Sequence, residues 1–109
     1  PVNLMKYTAS TMTFSIKCCT PSRKTVGWGD TFFADALARA FERQGYACRV
    51  DCKDEWHSHP ETDIVIHLKG LYSYTPNPSS KNIIWIISHP ELVTKNELNA
   101  FDLVCCASK

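Results

Sequence analysis

The sequence lacks the features of a membrane-spanning or nucleic-acid-binding protein. Its longest apolar runs, such as Ile83 to Ile87, have five residues, whereas a membrane span needs about 20. The N-terminus lacks the charged and then apolar layout of a signal peptide. The net charge is only +1 and the aromatic residues form no stacking platform, so nucleic acid is not an expected partner. We expect a cytoplasmic protein, or one that is peripheral at the inner membrane as part of a longer chain.

Glycine is scarce, with four residues, and the common catalytic motifs are missing. Gly27 and Gly29 do not form the GxGxxG fingerprint of dinucleotide sites, and no Lys-Ser/Thr follows them as in a phosphate loop. There is no Gly-x-Ser-x-Gly elbow, no kinase motif set and no paired-carboxylate signature. The function therefore has to be inferred from where polar residues fall in the fold.

Six cysteines lie in apolar strand patterns: Cys18, Cys19, Cys48, Cys52, Cys105 and Cys106. Neighbouring strand residues point to opposite faces, which makes vicinal disulfides geometrically poor. We expect reduced, buried cysteines, with a surface disulfide as the alternative. Cys48 and Cys52 also precede the pair His57 and His59. Because two strand residues four apart are separated by about 13 Å, too far for one zinc ion, we expect no metal.

The apolar pattern predicts one α/β domain over residues 13–109, after a linker or tail at residues 1–12. Alternating or continuous apolar residues predict strands over 13–19, 46–52, 63–68, 82–88 and 101–106. Helical spacing predicts helices over 30–44 and 91–99. Asp30 is the expected N-cap of the first helix, and Gly45 is placed to end it in the left-handed conformation. The side chains expected to face the core are Phe32, Phe33, Ala36, Leu37, Ala40 and Phe41.

The predicted sheet is parallel and Rossmann-like, with helices on both faces. Continuous apolar runs are typical of strands covered on both sides. The second strand instead alternates apolar and polar residues, so we expect it at an edge of the sheet, with one face exposed to solvent. About ten residues join it to the third strand, which is short for a crossover that contains a helix. The favoured strand order is therefore 2-1-3-4-5. In this order the strand sequence reverses between strands one and three. Ligands of open α/β sheets bind at such a reversal, at the edge of the sheet where the carboxyl ends of the strands lie.

The first candidate segment at this edge is Gly27-Trp28-Gly29-Asp30. Its glycines allow close approach of a ligand, and a helix N-terminus attracts anions. The Asp30 carboxylate, however, would repel a phosphate at close range. We interpret the segment as a wall that touches a sugar or a nucleotide-sugar, and a tight turn with a helix cap is the alternative.

Two further segments end neighbouring strands. His89 follows the fourth strand, with Glu91 close behind, and a histidine there could accept a proton from a hydroxyl or hydrogen-bond a substrate. The alternative is a histidine that only begins a helix. Lys69 could contact a phosphate or carboxylate and Gly70 permits close approach, unless they only form a turn. His67 lies within its strand and is expected in the core.

In order and spacing, these segments resemble the N-terminal domain of retaining glycosyltransferases of the two-Rossmann-domain class, GT-B. Val26 to Ala34 is similar to the glycine turn and first helix of that family. Asp63 to His67 is similar to its Asp-Val-Val-His strand. Asn82 to Glu91, followed by Phe101 to Ser108, is similar to its strand that ends in histidine and to the strand after it. The resemblance is closest to bacterial enzymes of polysaccharide and cell-envelope glycan synthesis.

The resemblance implies a domain that holds a hydroxyl acceptor, while a C-terminal Rossmann domain binds most of the nucleotide-sugar donor. Gly27 and Gly29 would match the turn that approaches the donor, and His89 the histidine that reaches the transferred sugar. Trp28 and Pro90 depart from the family pattern. The chain stops before a second Rossmann unit, so the resemblance implies an inactive fragment of a glycosyltransferase that needs no cofactor besides its substrates.

Two alternatives to an enzyme fragment remain open. One is a flavodoxin- or receiver-like binding domain without catalysis. Receivers need carboxylates at the ends of strands one and three to bind Mg²⁺, whereas Cys18, Cys19, His67 and Lys69 stand there. The other is an inactive glycosyltransferase-like scaffold.

Overall fold

The structure is a computed structural model that describes residues 12–106. Residues 1–11 of the predicted linker lie outside the described residues. Ser108, the last residue of the segment Phe101 to Ser108 that resembles the glycosyltransferases, also lies outside them. The strands are β1 (Thr13–Lys17), β2 (Ala47–Asp51), β3 (Ile64–Lys69), β4 (Lys81–Ile86) and β5 (Leu103–Cys106). The helices are α1 (Gly29–Arg43) and α2 (Lys95–Asn99), with 3-10 turns at Lys53–Glu55 and Pro90–Leu92. The predicted strand limits are confirmed to within one or two residues.

The five strands form one parallel sheet in the order β2-β1-β3-β4-β5, as predicted. β1 lies between β2 and β3, so that Phe14 pairs with Cys48 on one side and Ile64 on the other. β2 thus lies on one side of β1 and the later strands lie on the other side, so the strand order reverses between β1 and β3. This geometry opens a crevice outside the carboxyl ends of the strands.

Helix α1 covers the first face of the sheet. The side chains buried deepest on it are Ala34 and Ala38, at 0% and 7% exposure, whereas Phe32 is 78% exposed. The predicted apolar stripe is therefore wrong at the exposed Phe32 and Ala36 but confirmed at Leu37 and Phe41, which pack against the core. Ala34, Leu37, Ala38 and Phe41 lie at i, i+3, i+4 and i+7 and share one face. They pack against a core formed by Phe14, Ile16, Cys18, Ile66 and Leu68.

The start of α1 corrects a second expectation. Trp28, not Asp30, is the N-cap, and no side chain caps the helix. The reason is that the backbone turns helical already at Gly29, which leaves Asp30 inside the first turn, where its negative charge still complements the helix dipole. The predicted end of the helix is confirmed, since Gly45 has a φ of +93° and its amide donates to the Glu42 carbonyl.

The second face of the sheet is covered by the loops 52–63 and 70–80 and by short helices. Trp56, Tyr74 and Phe101 close over Val65 and Ile84. The predicted second helix over 91–99 is two pieces, because Val93 is extended and Thr94 starts α2 as its N-cap, accepting from the Glu97 amide at 3.1 Å. Within residues 12–106, no helix is long and apolar enough to cross a membrane.

All six cysteines are free. Cys18, Cys19 and Cys52 are buried and Cys48 and Cys105 are half-buried, but Cys106 is exposed. The expectation of burial is thus wrong for Cys106. The reason is its place on β5, an edge strand of the sheet.

Candidate functional site

Three loop segments meet at the carboxyl edge of the sheet: the turn before α1, the start of the β3–β4 loop and the chain that follows β4. They enclose a cavity of about 230 Å³, which we term the carboxyl-edge crevice. Its lining consists of Gly27, Trp28, Gly29, Asp30, Leu71, Ser88 and His89. The structure therefore brings the predicted glycine turn and the predicted histidine into one site.

The backbone of the glycine turn explains why the sequence forms it. Gly27 has a φ of +84°, a region that residues with a Cβ rarely adopt. The chain then passes through an extended Trp28 into α1. The indole of Trp28 lies parallel to the Tyr72 ring, with 6.3 Å between centroids. This stacking ties the turn to the β3–β4 loop.

Gly70 lies next to two residues that line the crevice, Asp30 and Ser88. A Cβ at this position would lie 3.0 Å from Asp30 Oδ2 and 3.2 Å from Ser88 Oγ. Glycine is needed here because the carboxylate and the hydroxyl both approach its backbone. Gly70 was expected to permit the close approach of a ligand, whereas the groups that approach it here belong to the protein itself.

Asp30 is the charged group of the crevice. Burial raises the pKa of its carboxyl, and the nearby His89 partly opposes the rise. The crevice lining contains no lysine or arginine. A phosphate would meet the Asp30 charge without a cation to offset it, whereas sugar hydroxyls would find an acceptor.

His89 has an unusual backbone. Its φ of 51° and ψ of 50° lie in the left-handed region, which a residue with a side chain enters at a cost of about 1–3 kcal/mol. Pro90 contributes, because proline disfavours the right-handed helical conformation in the residue before it. The His89 Nδ1 lies 3.4 Å from Glu91 Oε2. Both side chains are largely exposed, so the contact between them adds little stability.

Lys69 does not join the crevice. β3 alternates its side chains, so that Leu68 faces α1 and Lys69 faces the opposite side of the sheet. Lys69 is 1% exposed, donates to Ser73 Oγ at 2.9 Å and lies 3.3 Å from Glu97 Oε2. These contacts favour a structural ion pair over the predicted ligand contact.

An apolar cavity that the sequence reading missed adjoins the crevice. It has a volume of about 280 Å³, shares Gly29, Asp30 and Ser88 with the crevice, and is otherwise lined by Phe33, Trp85 and Ile87. The rings of Phe33 and Trp85 meet edge to face at 5.4 Å. The signal available in the sequence was that Trp85 and Ile87 share a strand face two residues apart, just before Ser88.

Chemically, the site offers a carboxylate, a hydroxyl and an imidazole at one end and aromatic rings at the other. Such a combination suits a ligand with hydroxyl groups and an apolar face. Among residues 12–106, no group of three or more His, Cys, Asp or Glu side chains could hold a metal ion. Comparison with known proteins gave no match to a protein family, to a curated protein or to a solved structure.

Proposed function

We propose that the chain is the acceptor-side domain of a GT-B glycosyltransferase, which transfers a sugar from a nucleotide-sugar to a hydroxyl. The observation that carries this proposal is the carboxyl-edge crevice, where the Gly27–Asp30 turn and His89 line one cavity beside the reversal of the strand order. The order of the sequence segments supports the same reading. The nucleotide would be held by a second α/β domain of the parent protein.

In this proposal His89 hydrogen-bonds a hydroxyl of the transferred sugar or of the acceptor. A carboxylate oxygen can only accept, so the contact with Glu91 favours the tautomer with the proton on Nδ1. Nε2 then keeps its lone pair and is free to accept a hydrogen bond or a proton from the hydroxyl. Glu91 acts as a positioning residue for His89.

The rest of the crevice would bind the sugar ring. Asp30 Oδ2 and Ser88 Oγ lie close together around Gly70 and would accept hydrogen bonds from neighbouring hydroxyls. Phe33 and Trp85, in the adjoining cavity, would cover the apolar face of the ring. Backbone at Gly27 and Gly29, together with the Trp28 side chain, would form the wall that faces the donor.

Turnover of nucleotide-sugars by the full-length parent protein tests the proposal. A panel of nucleoside-diphosphate sugars is incubated with the protein, and release of the nucleotide is measured. His89→Ala and Asp30→Asn should each lower kcat/KM on the order of 10²-fold, the usual cost of losing one group that stabilises the transition state. Asn96→Ala and Asp54→Asn, both at exposed positions outside the crevice, are the matched controls.

Three results separate the alternatives. Unchanged turnover in His89→Ala removes this histidine from the mechanism. Turnover absent with every donor, while sugars still shift the Trp28 and Trp85 indole signals in NMR spectra, points to an inactive scaffold. Binding of FMN by the 109-residue chain without binding of sugars points to a flavodoxin-like domain.

A further inference from the structure

A second cavity lies on the opposite face of the sheet from α1. It has a volume of about 280 Å³ and opens between the loops 52–63 and 70–80. We term it the Lys17 cavity, after the buried residue in its wall. Its lining includes Lys17, Trp56, His57, His59, Tyr74 and Asn77, none of which touches the carboxyl-edge crevice.

The charge of this cavity comes from a buried ion pair. Lys17 and Asp51 are each 1% exposed, and Lys17 Nζ lies 2.8 Å from Asp51 Oδ2. Ser15 Oγ donates to the same oxygen at 2.7 Å, and Arg49 Nε donates to Oδ1 at 3.2 Å. Two cations thus share one carboxylate, which leaves one positive charge unbalanced in this cluster.

Hydrogen-bonding groups also remain unused around the cluster. An ammonium has three N–H donors, yet Asp51 is the one acceptor of Lys17 Nζ within the described part of the chain. The Nδ1 atom of His59 is buried without a hydrogen-bond partner there and lies 3.8 Å from Asp51 Oδ1. The remaining N–H donors of the buried Lys17 ammonium are costly to leave without acceptors, so the cluster favours an additional acceptor that carries negative charge.

The walls of the Lys17 cavity are aromatic. The Trp56 and Tyr74 rings meet edge to face at 5.5 Å, and the His57 ring stacks on Tyr74 at 5.4 Å. Lys17 Nζ lies 6.0 Å from the centroid of the Tyr74 ring. A flat ring can lie against these faces while a charged substituent reaches toward the ammonium.

We propose that the Lys17 cavity binds a small planar monoanion, namely a carboxylate carried on a single aromatic or heteroaromatic ring. The volume sits at the lower limit of small-molecule sites, which are about 300–1,000 Å³, and so suits one ring. The single excess positive charge matches a monoanion. A phosphate dianion would overbalance it and meet Asp51, and a cation would be repelled by Lys17 and Arg49.

The three tryptophans of the chain allow a test that separates the two sites. Trp56 lines the Lys17 cavity, and its indole N–H donates to the Cys18 carbonyl at 2.8 Å. Trp28 and Trp85 line the crevice and its apolar extension. In ¹H–¹⁵N spectra of the 109-residue chain, titration with benzoate should shift the Trp56 indole signal and leave the other two unchanged. Benzamide, the neutral isostere, should bind roughly tenfold more weakly or worse, since a charge-assisted hydrogen bond is lost.

The variant Lys17→Met removes the excess positive charge of the cluster, while Asp51 keeps Ser15 and Arg49 as hydrogen-bond donors. In it the preference for benzoate over benzamide should vanish. The proposal is overturned if wild-type Trp56 responds equally to both compounds, if benzoate shifts only Trp28 and Trp85, or if folded Lys17→Met keeps the preference. Should Lys17→Met not fold, His57→Ala, at an exposed wall residue, should weaken benzoate binding several-fold, and an unchanged affinity would contradict the aromatic wall.

Discussion

Acidification is expected to destabilise the fold through His67, on the second face of the sheet. Its side chain is 0% exposed and contacts the rings of Trp56 and Phe101. Burial lowers the pKa of His67 from 6.5 to about 4, because the charged imidazolium is poorly solvated there. Nδ1 lies 3.3 Å from the Lys17 carbonyl. A carbonyl oxygen only accepts, so Nδ1 carries the proton of the neutral ring.

The sign of the effect follows from proton linkage. The folded pKa lies below the unfolded one, so the unfolded chain binds the proton first as the pH falls. The stability that neutral His67 contributes is complete above pH 6.5 and is lost as the pH falls toward about 4. Linkage gives a loss of about 2 kcal/mol by pH 5 and about 3 kcal/mol near pH 4. That loss is a large share of the roughly 5–15 kcal/mol that keeps a domain folded.

Urea unfolding of wild type and His67→Phe between about pH 7 and pH 4.5 measures this effect. Phenylalanine fills the same aromatic site but does not titrate. Surface carboxylates titrate in both proteins, so their contribution cancels when the two free energies of unfolding are subtracted. As the pH is lowered, the free energy of unfolding of wild type should fall relative to that of His67→Phe by the amount given above. His57→Phe, at an exposed histidine, should keep the wild-type slope. The reasoning is refuted if the free energy of unfolding depends on pH in the same way for wild type and His67→Phe. It is also refuted if an NMR titration shows that folded His67 titrates near its ordinary pKa.

Two further predictions concern stability and are read from urea unfolding at neutral pH. Asp51→Asn should cost about 3–5 kcal/mol, because it leaves a buried ammonium unpaired, whereas the exposed Asp54→Asn should change stability by less than about 0.5 kcal/mol. A loss below about 1 kcal/mol for Asp51→Asn would contradict the buried pair. Gly70→Ala should cost about 1–3 kcal/mol, since its Cβ meets a carboxylate oxygen at 3.0 Å. Gly29→Ala meets nothing within 4 Å and should be neutral or stabilising by about 0.4–1 kcal/mol. Equal effects of the two alanines would contradict the close approach at Gly70.

The sequence alone determined the scaffold of this protein. Continuous apolar runs in β3 and β4, the alternating β2 and the short link before β3 were enough to predict a parallel sheet in its observed order. The same order located the carboxyl edge, where the predicted Gly27 turn and His89 meet. These features depend on the local periodicity of apolar residues and on the lengths of the connecting segments. Both can be read from the sequence without knowing which distant residues meet.

Only the tertiary structure decided how the polar side chains are used. The alternating residues of β2 pointed to one solvent-exposed face on that strand, yet loops from distant parts of the chain bury Lys17 and Asp51 together. Lys69 was expected at a ligand but lies against Glu97. Asp30 was expected to cap a helix but approaches Gly70. In these three contacts the two residues lie 28 to 40 positions apart in the sequence. The periodicity of a sequence describes local structure only, so it does not show which distant residues meet.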